Sequence, residues 1–293
     1  MIRFPPELKI SENVSLKPLT ALGIGGCADY FVGINSEQEL RLLCETARKY
    51  GLPLTVIGRG SKLLITDKGV RGVTAALPGI DEIIVEGDNV TAGAGASLIK
   101  LAGLCINNGL AGLEWAVGIP GSLGGAVYMN AGAYGGEMSD IIDSVEAFDG
   151  EKLIMLSAAD CVFGYRSSLF AVKKNLIVTC VRLKMRFEEP GLLKALAKKY
   201  RDERAAKQPK GKSAGSMFKR CAGFSAGELI EQTGLKGLRI GGAEISQRHA
   251  NFLLNRGNAS YTGAEAVLGR AENEVYNKFG VKLEREIITI GEI

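Results

Sequence analysis

Two glycine-rich stretches contain the residue types from which a first chemistry can be inferred. The stretch GIPGSLGGAVYMNAGAYGG, residues 118–136, places seven glycines and no charged residue in nineteen positions, and GRGSKLL, residues 58–64, is a shorter one. Glycine loses more backbone freedom on folding than alanine does, so such a run indicates a sharply turning backbone or a group that lies against it. Backbone N–H groups exposed by successive glycines form a nest that binds anions. Together the two stretches predict a cofactor site that holds a pyrophosphate; for either stretch alone, turn glycines remain the alternative.

The shorter stretch lacks the other features of a dinucleotide-binding fingerprint. That fingerprint needs a third glycine and a helix directly after the loop, whereas LLITDKGVRGVTAAL, residues 63–77, has the composition of strands. The preceding PLTVIG, residues 53–58, indicates a buried strand. We therefore expect a loop between strands and not a nucleotide-binding βαβ turn.

The composition of the chain narrows its class. With 293 residues, 46% of them hydrophobic and 23% charged, the sequence is typical of a globular protein of two or three domains. A net charge of +4 is too small for nucleic-acid binding by electrostatics alone, but it is compatible with anionic small molecules. The six cysteines form no CxxC pair, which indicates reduced thiols and not a disulfide framework or a zinc site. With a single histidine as well, metal catalysis is not expected.

The sequence shows no sign of membrane insertion or export. The first residues do not resemble a signal peptide, and no window reaches the roughly 18 uninterrupted apolar residues of a membrane span. We therefore expect a cytoplasmic protein whose partners are small molecules, without nucleic acid or membrane, and we expect a monomer.

Capping signals and hydrophobic spacing predict the helices. Glycines at 51 and 280 end the first and the last of them, and Pro190 begins a further helix. In this further helix we expect Leu192, Leu196 and Tyr200 to share a face. Capping boxes mark three helix starts: Ser36 with Glu39, Ser225 with Glu228, and Thr262 with Glu265.

The remaining segments predict an α+β protein. Short β-rich runs dominate residues 81–187, with a helix around residues 97–109, and residues 281–291 form a closing strand. The polar segment KQPKGKSAGS, residues 207–216, is expected to be a boundary loop. The basic run KKYRDERAAKQPKGK, residues 198–212, is either a solvated helix face, since acidic residues interrupt it, or a phosphate-attracting surface.

Five longer blocks, in order, resemble one known family. They are GIPGSLGGAVYMNAGAYGGEMSD, FGYRSSLF, SAGSMFKR, AGELIEQTGLKGLRIGGAEISQRHANFLLN and LEREIITIG. The chain resembles the UDP-N-acetylenolpyruvoylglucosamine reductases, flavoenzymes of bacterial peptidoglycan precursor synthesis. Several long blocks in order are more specific than any short motif. Because the third domain carries no insert, the chain is similar to the family's shorter branch.

The resemblance implies both the fold and the reaction. It implies an FAD-binding domain of the vanillyl-alcohol-oxidase (PCMH) type in two subdomains, residues 1–80 and 81–189, followed by an α+β substrate-binding domain, residues 190–293. NADPH would reduce FAD and leave. UDP-N-acetylglucosamine enolpyruvate would then take its place and be reduced to UDP-N-acetylmuramate. Two alternatives remain open, an FAD-dependent oxidase of the same fold and a non-catalytic sensor of flavin or nucleotide sugar.

The family's catalytic motifs correspond to Arg166, Ser216 and Glu286. Negative charge develops towards the substrate carboxylate during reduction, and a guanidinium such as that of Arg166 can stabilise it with two parallel donors. A protonated Glu286 carboxyl, or its hydrogen-bond network, would polarise the enolate, and Ser216 would protonate the neighbouring carbon. Taken alone, each of these residues would more simply be a surface or loop residue; the block matches favour catalysis.

The resemblance also implies binding residues. Asn130 is expected either to pair with a polar edge of the flavin or to be a turn residue. Lys219 and Arg220 would attract the substrate diphosphate, unless they are solvated charges, and Tyr165 is expected beside the substrate. The FAD-binding residues implied by the loops are Gly58, Arg59, Gly60, Ser61, Gly118, Ile119, Pro120, Gly121, Ser122, Gly124, Gly125, Asn130, Ala131 and Gly132.

The chain departs from the family pattern at three positions. Lys62 stands where asparagine is usual, Gly23 where a basic residue is common, and Cys221 where proline is frequent. Lys62 could bring its charge near the cofactor pyrophosphate. His249, the single histidine, is expected to be structural and not catalytic.

Overall fold

Helices and strands are interspersed along the whole chain. The computed structural model describes residues 2–221 and 223–293. Its helices are α1 Glu37–Tyr50, α2 Leu98–Asn107, α3 Leu123–Tyr128, α4 Leu169–Val172, α5 Pro190–Lys207, α6 Ala226–Gln232 and α7 Tyr261–Phe279. Its strands are β1 Ser11–Ser15, β2 Cys27–Gly33, β3 Leu54–Ile57, β4 Leu63–Ile65, β5 Val70–Ala76, β6 Ile83–Glu86, β7 Asn89–Gly93, β8 Leu110–Ala111, β9 Gly132–Ala133, β10 Gly136–Glu137, β11 Ile142–Phe148, β12 Leu153–Ser157, β13 Ile177–Lys184, β14 Arg186–Phe187, β15 Lys212–Ser216, β16 Arg239–Ile240, β17 Ala243–Ile245, β18 Phe252–Asn255 and β19 Ile288–Ile290. This mixture confirms the predicted α+β class.

The chain forms two compact units. The first contains residues 1–11, 31–58 and 73–204, and the second contains residues 12–30, 59–72 and 205–293. Two segments from the amino-terminal part of the chain, residues 12–30 and 59–72, group with the carboxyl-terminal part. The three-part division into functional domains remains a prediction.

An antiparallel sheet of five strands dominates the first unit. Its order is β12-β11-β13-β7-β6, so the long strands β11 and β13 are neighbours in its middle. In the second half of β13 the buried Val181 and Leu183 alternate with the exposed Arg182 and Lys184, as expected of a sheet that covers a core on one side. In the same unit β3 pairs in parallel with the second half of β5, with Leu54 opposite Val73 and Ile57 opposite Ala76.

Helix α5 begins at Pro190 as predicted, but the predicted apolar face is wrong by one residue. Leu193 and Ala197 are the buried residues of the helix and pack with Ile106 of α2. Leu192 is 60% exposed. Two adjacent leucines, Leu192 and Leu193, fit a helical period equally well, so only the position of the neighbouring helix decides which one is buried.

The second unit is built around an antiparallel sheet with the order β15-β18-β17-β16. Strands β4 and β19 form a separate parallel pair, in which Leu63 lies opposite Ile288. Helices α6 and α7 supply much of the core, which includes Leu22, Ile24, Leu64, Phe218, Leu229, Ile230, Ile245, Leu253, Val267, Leu268 and Val275.

The segment predicted as a boundary loop is partly a strand. Residues Lys212–Ser216 form β15, which pairs with β18 at Ser213 opposite Leu254 and at Ser216 opposite Phe252. Its composition of serine, alanine, glycine and lysine is typical of a loop, so only the pairing with β18 reveals the strand. The closing strand, by contrast, is shorter than predicted and covers Ile288–Ile290.

The predicted caps have mixed outcomes. Ser36 accepts a hydrogen bond from the Glu39 amide and Gly51 ends α1 in the left-handed conformation, which confirms the first helix. Helix α6 does follow Ser225, but that side chain makes no capping bond. At the last helix the predicted cap Thr262 is wrong, because Ser260 accepts the capping bond from the Gly263 amide.

Two further observations bear on the predicted class. Within residues 2–221 and 223–293, no helix has the length and the apolar character that crossing a membrane requires. All six cysteines are free thiols, in agreement with the predicted absence of a disulfide framework.

The two serines that precede α6 and α7 provide a matched test of the cap assignment. Ser260→Ala should lower the free energy of unfolding by about 1 kcal/mol, because it removes a capping acceptor from the first turn of α7. Ser225→Ala should change it by less than about 0.5 kcal/mol, since that hydroxyl makes no capping bond. Urea unfolding of both variants measures the difference, and equal losses would show that the cap assignment is wrong.

Candidate active site

Gly58, the first residue of the shorter glycine-rich stretch, lies beside the longer stretch in the first unit. The Cα of Gly58 lies so close to Ser122 that an added Cβ would overlap the serine hydroxyl oxygen. Ser122 also caps α3, accepting a hydrogen bond of 3.3 Å from the Gly125 amide. A side chain at position 58 would displace the Ser122 hydroxyl that caps α3, so glycine permits this close approach of residue 58 to Ser122.

Several amides of the long stretch already have partners within the chain. A Cβ at Gly136 would overlap the Trp115 ring, so packing accounts for at least one of its glycines. Hydrogen bonds from these amides to carbonyls of the same chain hold the shape of the loop. At these positions they favour turn residues over an amide nest that binds an anion. The bonded amides are Ile119 to the Ala116 carbonyl at 3.0 Å, Leu123 to Ala96 at 2.9 Å and Gly124 to Ala94 at 2.8 Å.

Asn130 is a structural centre of this stretch. It is fully buried, with a positive φ of 43°. Its Nδ2 donates to Glu137 Oε1 at 3.0 Å and to the Gly164 carbonyl at 3.2 Å, while its Oδ1 accepts from the Ser139 amide at 3.0 Å. Because these bonds occupy both ends of the amide, the geometry favours the turn-residue alternative over a flavin contact. The bond to Gly164 fixes the FGYRSSLF loop beside the glycine stretch.

Arg166 lies in this same loop. Its Nη2 donates a hydrogen bond of 2.7 Å to the carbonyl of Gly132, one of the residues predicted to line the flavin. The guanidinium carbon lies 5.1 Å from the centre of the Tyr165 ring, and Tyr165 is half exposed. A φ of +53° at Arg166 is uncommon for a residue with a side chain and occurs often at functional sites. The first unit thus places Arg166 beside the predicted cofactor loop.

Arg204 is a residue of this region that the sequence analysis did not identify individually. It belongs to the basic run, but its side chain turns inward and lies against Gly118, the first residue of the long glycine stretch. Its guanidinium lies 5.4 Å from the centre of the Tyr134 ring, which stacks on Tyr200 at 4.4 Å.

The donors of Arg204 are poorly satisfied by the protein itself. Nη2 makes only a long hydrogen bond of 3.4 Å to the Trp115 carbonyl, and the buried Nε has no hydrogen-bond partner. Burial lowers the pKa of this guanidinium. An unpaired buried donor on a half-buried cation is costly, and a phosphate at the Gly118 turn would compensate for its lost hydration. On this observation, the residues present fit a pyrophosphate-bearing cofactor.

The second unit brings Ser216 and Glu286 together around a third residue. The Lys62 ammonium lies 2.7 Å from Glu286 Oε1 and donates a hydrogen bond of 3.0 Å to the Ser216 carbonyl. The Glu286 side chain is only 8% exposed and that of Lys62 19% exposed. The sequence analysis identified Lys62 as a departure from the family pattern that could lie near the cofactor pyrophosphate, and neither observed contact could be predicted from its position in the chain.

Backbone hydrogen bonds fix the three chain segments of this cluster. The Ile288 amide donates to the Lys62 carbonyl at 2.9 Å, as the first bond of the parallel pair β4-β19. The Glu286 amide donates to the Met217 carbonyl at 2.8 Å. Asn251 secures the segment after Ser216, since its amide side chain exchanges hydrogen bonds with the Phe218 backbone at 2.8 and 3.0 Å.

Arg285 anchors the segment that precedes β19 to helix α7. The guanidinium forms paired hydrogen bonds of 2.6–3.0 Å with Glu272 and Glu265, both on α7. Hydrogen bonding to these two carboxylates raises the pKa of Arg285. Because successive side chains of an extended segment point to opposite sides, anchoring Arg285 on α7 turns Glu286 towards Lys62.

Lys219 and Arg220, the predicted substrate-binding residues of the second unit, differ in their surroundings. Lys219 forms an ion pair with Glu284, and Arg220 is exposed. Gly23 and Cys221 are the two other positions that depart from the family pattern. Lys212 of β15 lies next to Gly23, so a basic side chain is present beside that position. The Cys221 thiol contacts the Lys219 carbonyl at 3.6 Å.

His249 is half-buried in the second unit. Its Nδ1 accepts a hydrogen bond of 3.2 Å from the Asn251 amide, and its ring lies 4.8 Å from that of Phe252. Burial, followed by the nearby Lys236 ammonium, lowers its pKa. These contacts support the structural role expected for this residue.

Comparison with known protein families gives two matches. Residues 207–290 match the family described as UDP-N-acetylenolpyruvoylglucosamine reductase, C-terminal domain. Residues 28–152 match the family described as FAD binding domain.

Whole proteins of known name are also similar along nearly the full chain. The UDP-N-acetylenolpyruvoylglucosamine reductase 2 of Bacillus thuringiensis subsp. konkukian is 41% identical over 293 residues, covering 98% of this chain and 94% of the relative. The crystal structure of the UDP-N-acetylenolpyruvylglucosamine reductase (MurB) from Thermus caldophilus matches with a TM-score of 0.83 and 36% identity, covering 96% of this chain and 98% of that one. A cholesterol oxidase from Brevibacterium sterolicum, with a TM-score of 0.50 and 17% identity over 63% of this chain and 39% of that one, shares the fold alone.

The lowered pKa of the half-buried His249 predicts a pH dependence of stability. A folded pKa below the unfolded value of about 6.5 means that the unfolded chain takes up the proton first as pH falls. The contribution is present above about pH 6.5 and is lost as pH falls towards the lowered folded pKa. The free energy of unfolding should therefore fall between about pH 7.5 and 5.5, before most carboxylates titrate.

Because the chain has a single histidine, His249→Gln removes the imidazole responsible. Urea unfolding at both pH values should show a marked decrease for the wild type and a much smaller one for the variant. An equal decrease in both proteins would show that another group causes it.

Proposed function

Because this chain belongs to the UDP-N-acetylenolpyruvoylglucosamine reductase family, we propose that it reduces UDP-N-acetylglucosamine enolpyruvate to UDP-N-acetylmuramate, with FAD as cofactor and NADPH as reductant. The observation that carries the proposal is similarity along 98% of the chain to a reductase of that name. The site supports it, since two of the three predicted catalytic residues share one buried ion-pair cluster. We further propose that the reaction takes place in the cytoplasm, where peptidoglycan precursors are made.

The first unit supplies the groups that would hold the cofactor. When bound, FAD accepts a hydride from NADPH and passes one to the enolpyruvyl double bond. The Gly58–Ser122 contact would provide the close backbone approach, and the Arg204 guanidinium beside Gly118 would balance a phosphate. The remaining loop residues inferred from the sequence stay predictions.

Arg166 would stabilise the charge that the reduction creates. Reduction of the double bond makes the carbon next to the carboxylate an enolate, whose negative charge spreads onto the carboxylate oxygens. A guanidinium offers two parallel donors that match these oxygens. The bond from Nη2 to the Gly132 carbonyl would orient the group in advance, which is how fixed donors lower a barrier.

Ser216 would deliver the proton, with Glu286 nearby in the same cluster. The Ser216 carbonyl is bonded to Lys62, so the residue's backbone is fixed while its hydroxyl belongs to a partly exposed residue. General acid catalysis requires such a donor within reach of the carbon that takes up the proton. Glu286 would polarise the enolate through the network it forms with Lys62.

The function is tested by absorbance and turnover together. The purified protein, after incubation with FAD, should show an oxidised-flavin spectrum and consume NADPH only when the enolpyruvyl sugar nucleotide is present. Flavin binding without substrate-dependent consumption would favour a sensor. NADPH or substrate oxidation that depends on oxygen would favour an oxidase, and a protein that binds no FAD would contradict the assignment.

Ser216→Ala should separate the two halves of the reaction. Reduction of the flavin by NADPH requires no proton on the substrate carbon, so its rate should stay near the wild-type value. Reoxidation by saturating enolpyruvyl substrate should slow by about 10²-fold or more, the scale of a lost general acid. Stopped-flow absorbance measures both halves.

The control for this variant is Ser213→Ala, which removes a hydroxyl that accepts a bond from the Gly215 amide in the same segment. The control should alter loop stability or substrate affinity but leave reoxidation at saturation within about threefold of the wild type. Fast reoxidation in Ser216→Ala would exclude Ser216 as the proton donor.

Arg166→Lys should be strongly deleterious despite keeping the charge. An ammonium cannot reproduce two parallel donors, and losing such stabilisation typically costs about 10²–10³-fold in rate. Steady-state kcat measures the effect, with Arg182→Lys on an exposed position of β13 as the control. Near-normal kcat in Arg166→Lys would remove this residue from the mechanism.

A further inference from the structure

The side chain of Lys62 joins the two predicted catalytic residues of the second unit. Its ammonium lies 2.7 Å from Glu286 Oε1 and 3.0 Å from the Ser216 carbonyl oxygen. The sequence alone suggests for Lys62 only an attraction to the cofactor's pyrophosphate. The observed contacts instead direct its charge towards the groups inferred to act on the substrate.

Backbone hydrogen bonds fix the segments that carry Lys62 and Glu286. The carbonyl of Lys62 accepts the Ile288 amide at 2.9 Å, and the Glu286 amide bonds to the Met217 carbonyl at 2.8 Å. A lysine side chain normally samples many rotamers, but here both its origin and its two acceptors are fixed. Lys62 therefore defines the distance between the Glu286 carboxylate and the Ser216 backbone.

The residue before Ser216 leaves room for this arrangement. Gly215 has a φ of +72°, and a Cβ at that position would lie 3.2 Å from the Lys62 ammonium nitrogen. A side chain there would be strained by the backbone and would crowd the ammonium. The local sequence of β15 and the position of Lys62 are thus matched to each other.

The charges of the cluster have a consequence for the reaction. Glu286 is 8% exposed, so an unbalanced carboxylate there would be poorly hydrated and would repel an anionic enolate. The Lys62 ammonium neutralises that charge at 2.7 Å. With Lys62 present, the carboxylate can take part in a hydrogen-bond network without opposing the charge that reduction creates.

We propose that Lys62 is a positioning residue of the reduction site, which holds Glu286 and the Ser216 segment in their reactive geometry and neutralises Glu286. This role rests on the proposed function and deepens it. It is required in the half-reaction in which substrate is reduced and protonated, and not in the binding of FAD or in its reduction by NADPH.

The experiment compares Lys62→Met, Lys62→Arg and Glu286→Gln, with the double variant Lys62→Met/Glu286→Gln. Lys62→Met should slow reoxidation by saturating enolpyruvyl substrate by about 10–10²-fold, while flavin reduction and the Kd for FAD stay within about threefold of the wild type. Lys62→Arg, which keeps a cation, should recover most of the lost rate. The control is Lys68→Met, an exposed lysine of the same unit whose ammonium donates to the Ile293 carbonyl and which should behave as the wild type.

The double variant tests whether the two residues act as a unit. Adding Lys62→Met to Glu286→Gln should slow reoxidation by less than about threefold further, because the partner of the ammonium is already neutral. Multiplicative losses would overturn the proposal, as would a weakened Kd for FAD with normal reoxidation, which would assign Lys62 to the cofactor. If Lys62→Met does not fold, Lys62→Gln replaces it with the same expectations.

Urea unfolding tests the Lys62–Glu286 pair without measuring activity. The decrease in the unfolding midpoint caused by Lys62→Met should be much smaller in the Glu286→Gln background than in the wild type. If the wild type itself is not reoxidised by the enolpyruvyl sugar nucleotide, the proposed function fails while this coupling still stands. If the midpoints are additive, the Lys62–Glu286 pair fails whatever the activity.

Discussion

The parallel pairing of β4 with β19 is the constraint on which the second unit's site depends. It places residues from near opposite ends of the chain side by side, with Leu63 opposite Ile288. The residues that flank the pair, Lys62 and Glu286, come within ion-pair distance as a result. Closing so long a loop costs chain entropy that the local contacts must offset. The hydrogen bonds between Met217 and Glu286, together with the anchoring of Arg285 on α7, contribute to that compensation.

In the first unit, close packing shapes the cofactor-binding residues. Gly58 and Gly136 are glycines because a side chain would overlap Ser122 or Trp115, and Asn130 satisfies its polar atoms inside the protein. Beside Gly118, the Arg204 guanidinium keeps a buried Nε donor that has no hydrogen-bond partner among the described residues. A preformed backbone with an unsatisfied cation is suited to an anionic cofactor, because little must reorganise when it binds.

The sequence predicted the features that depend on local signals or on long similar blocks. The α1 helix with its Ser36 cap, the start of α5 at Pro190 and the family itself belong to these. It could not predict features set by distant partners. Lys212–Ser216 is a strand because β18 lies next to it, and Leu193 is buried in place of Leu192 because α2 packs on that side. The Lys62 contacts are of the same kind, since no spacing in the sequence relates positions 62, 216 and 286.

The central claim is that the ion pair of Lys62 belongs to the working site and does not depend on ligands. A crystal structure of the FAD-loaded protein with the enolpyruvyl sugar nucleotide bound tests it most directly. The account predicts that the Lys62 ammonium remains within about 3.2 Å of both the Glu286 carboxylate and the Ser216 carbonyl. An ammonium turned to a cofactor or substrate phosphate, more than about 4 Å from Glu286, would contradict it.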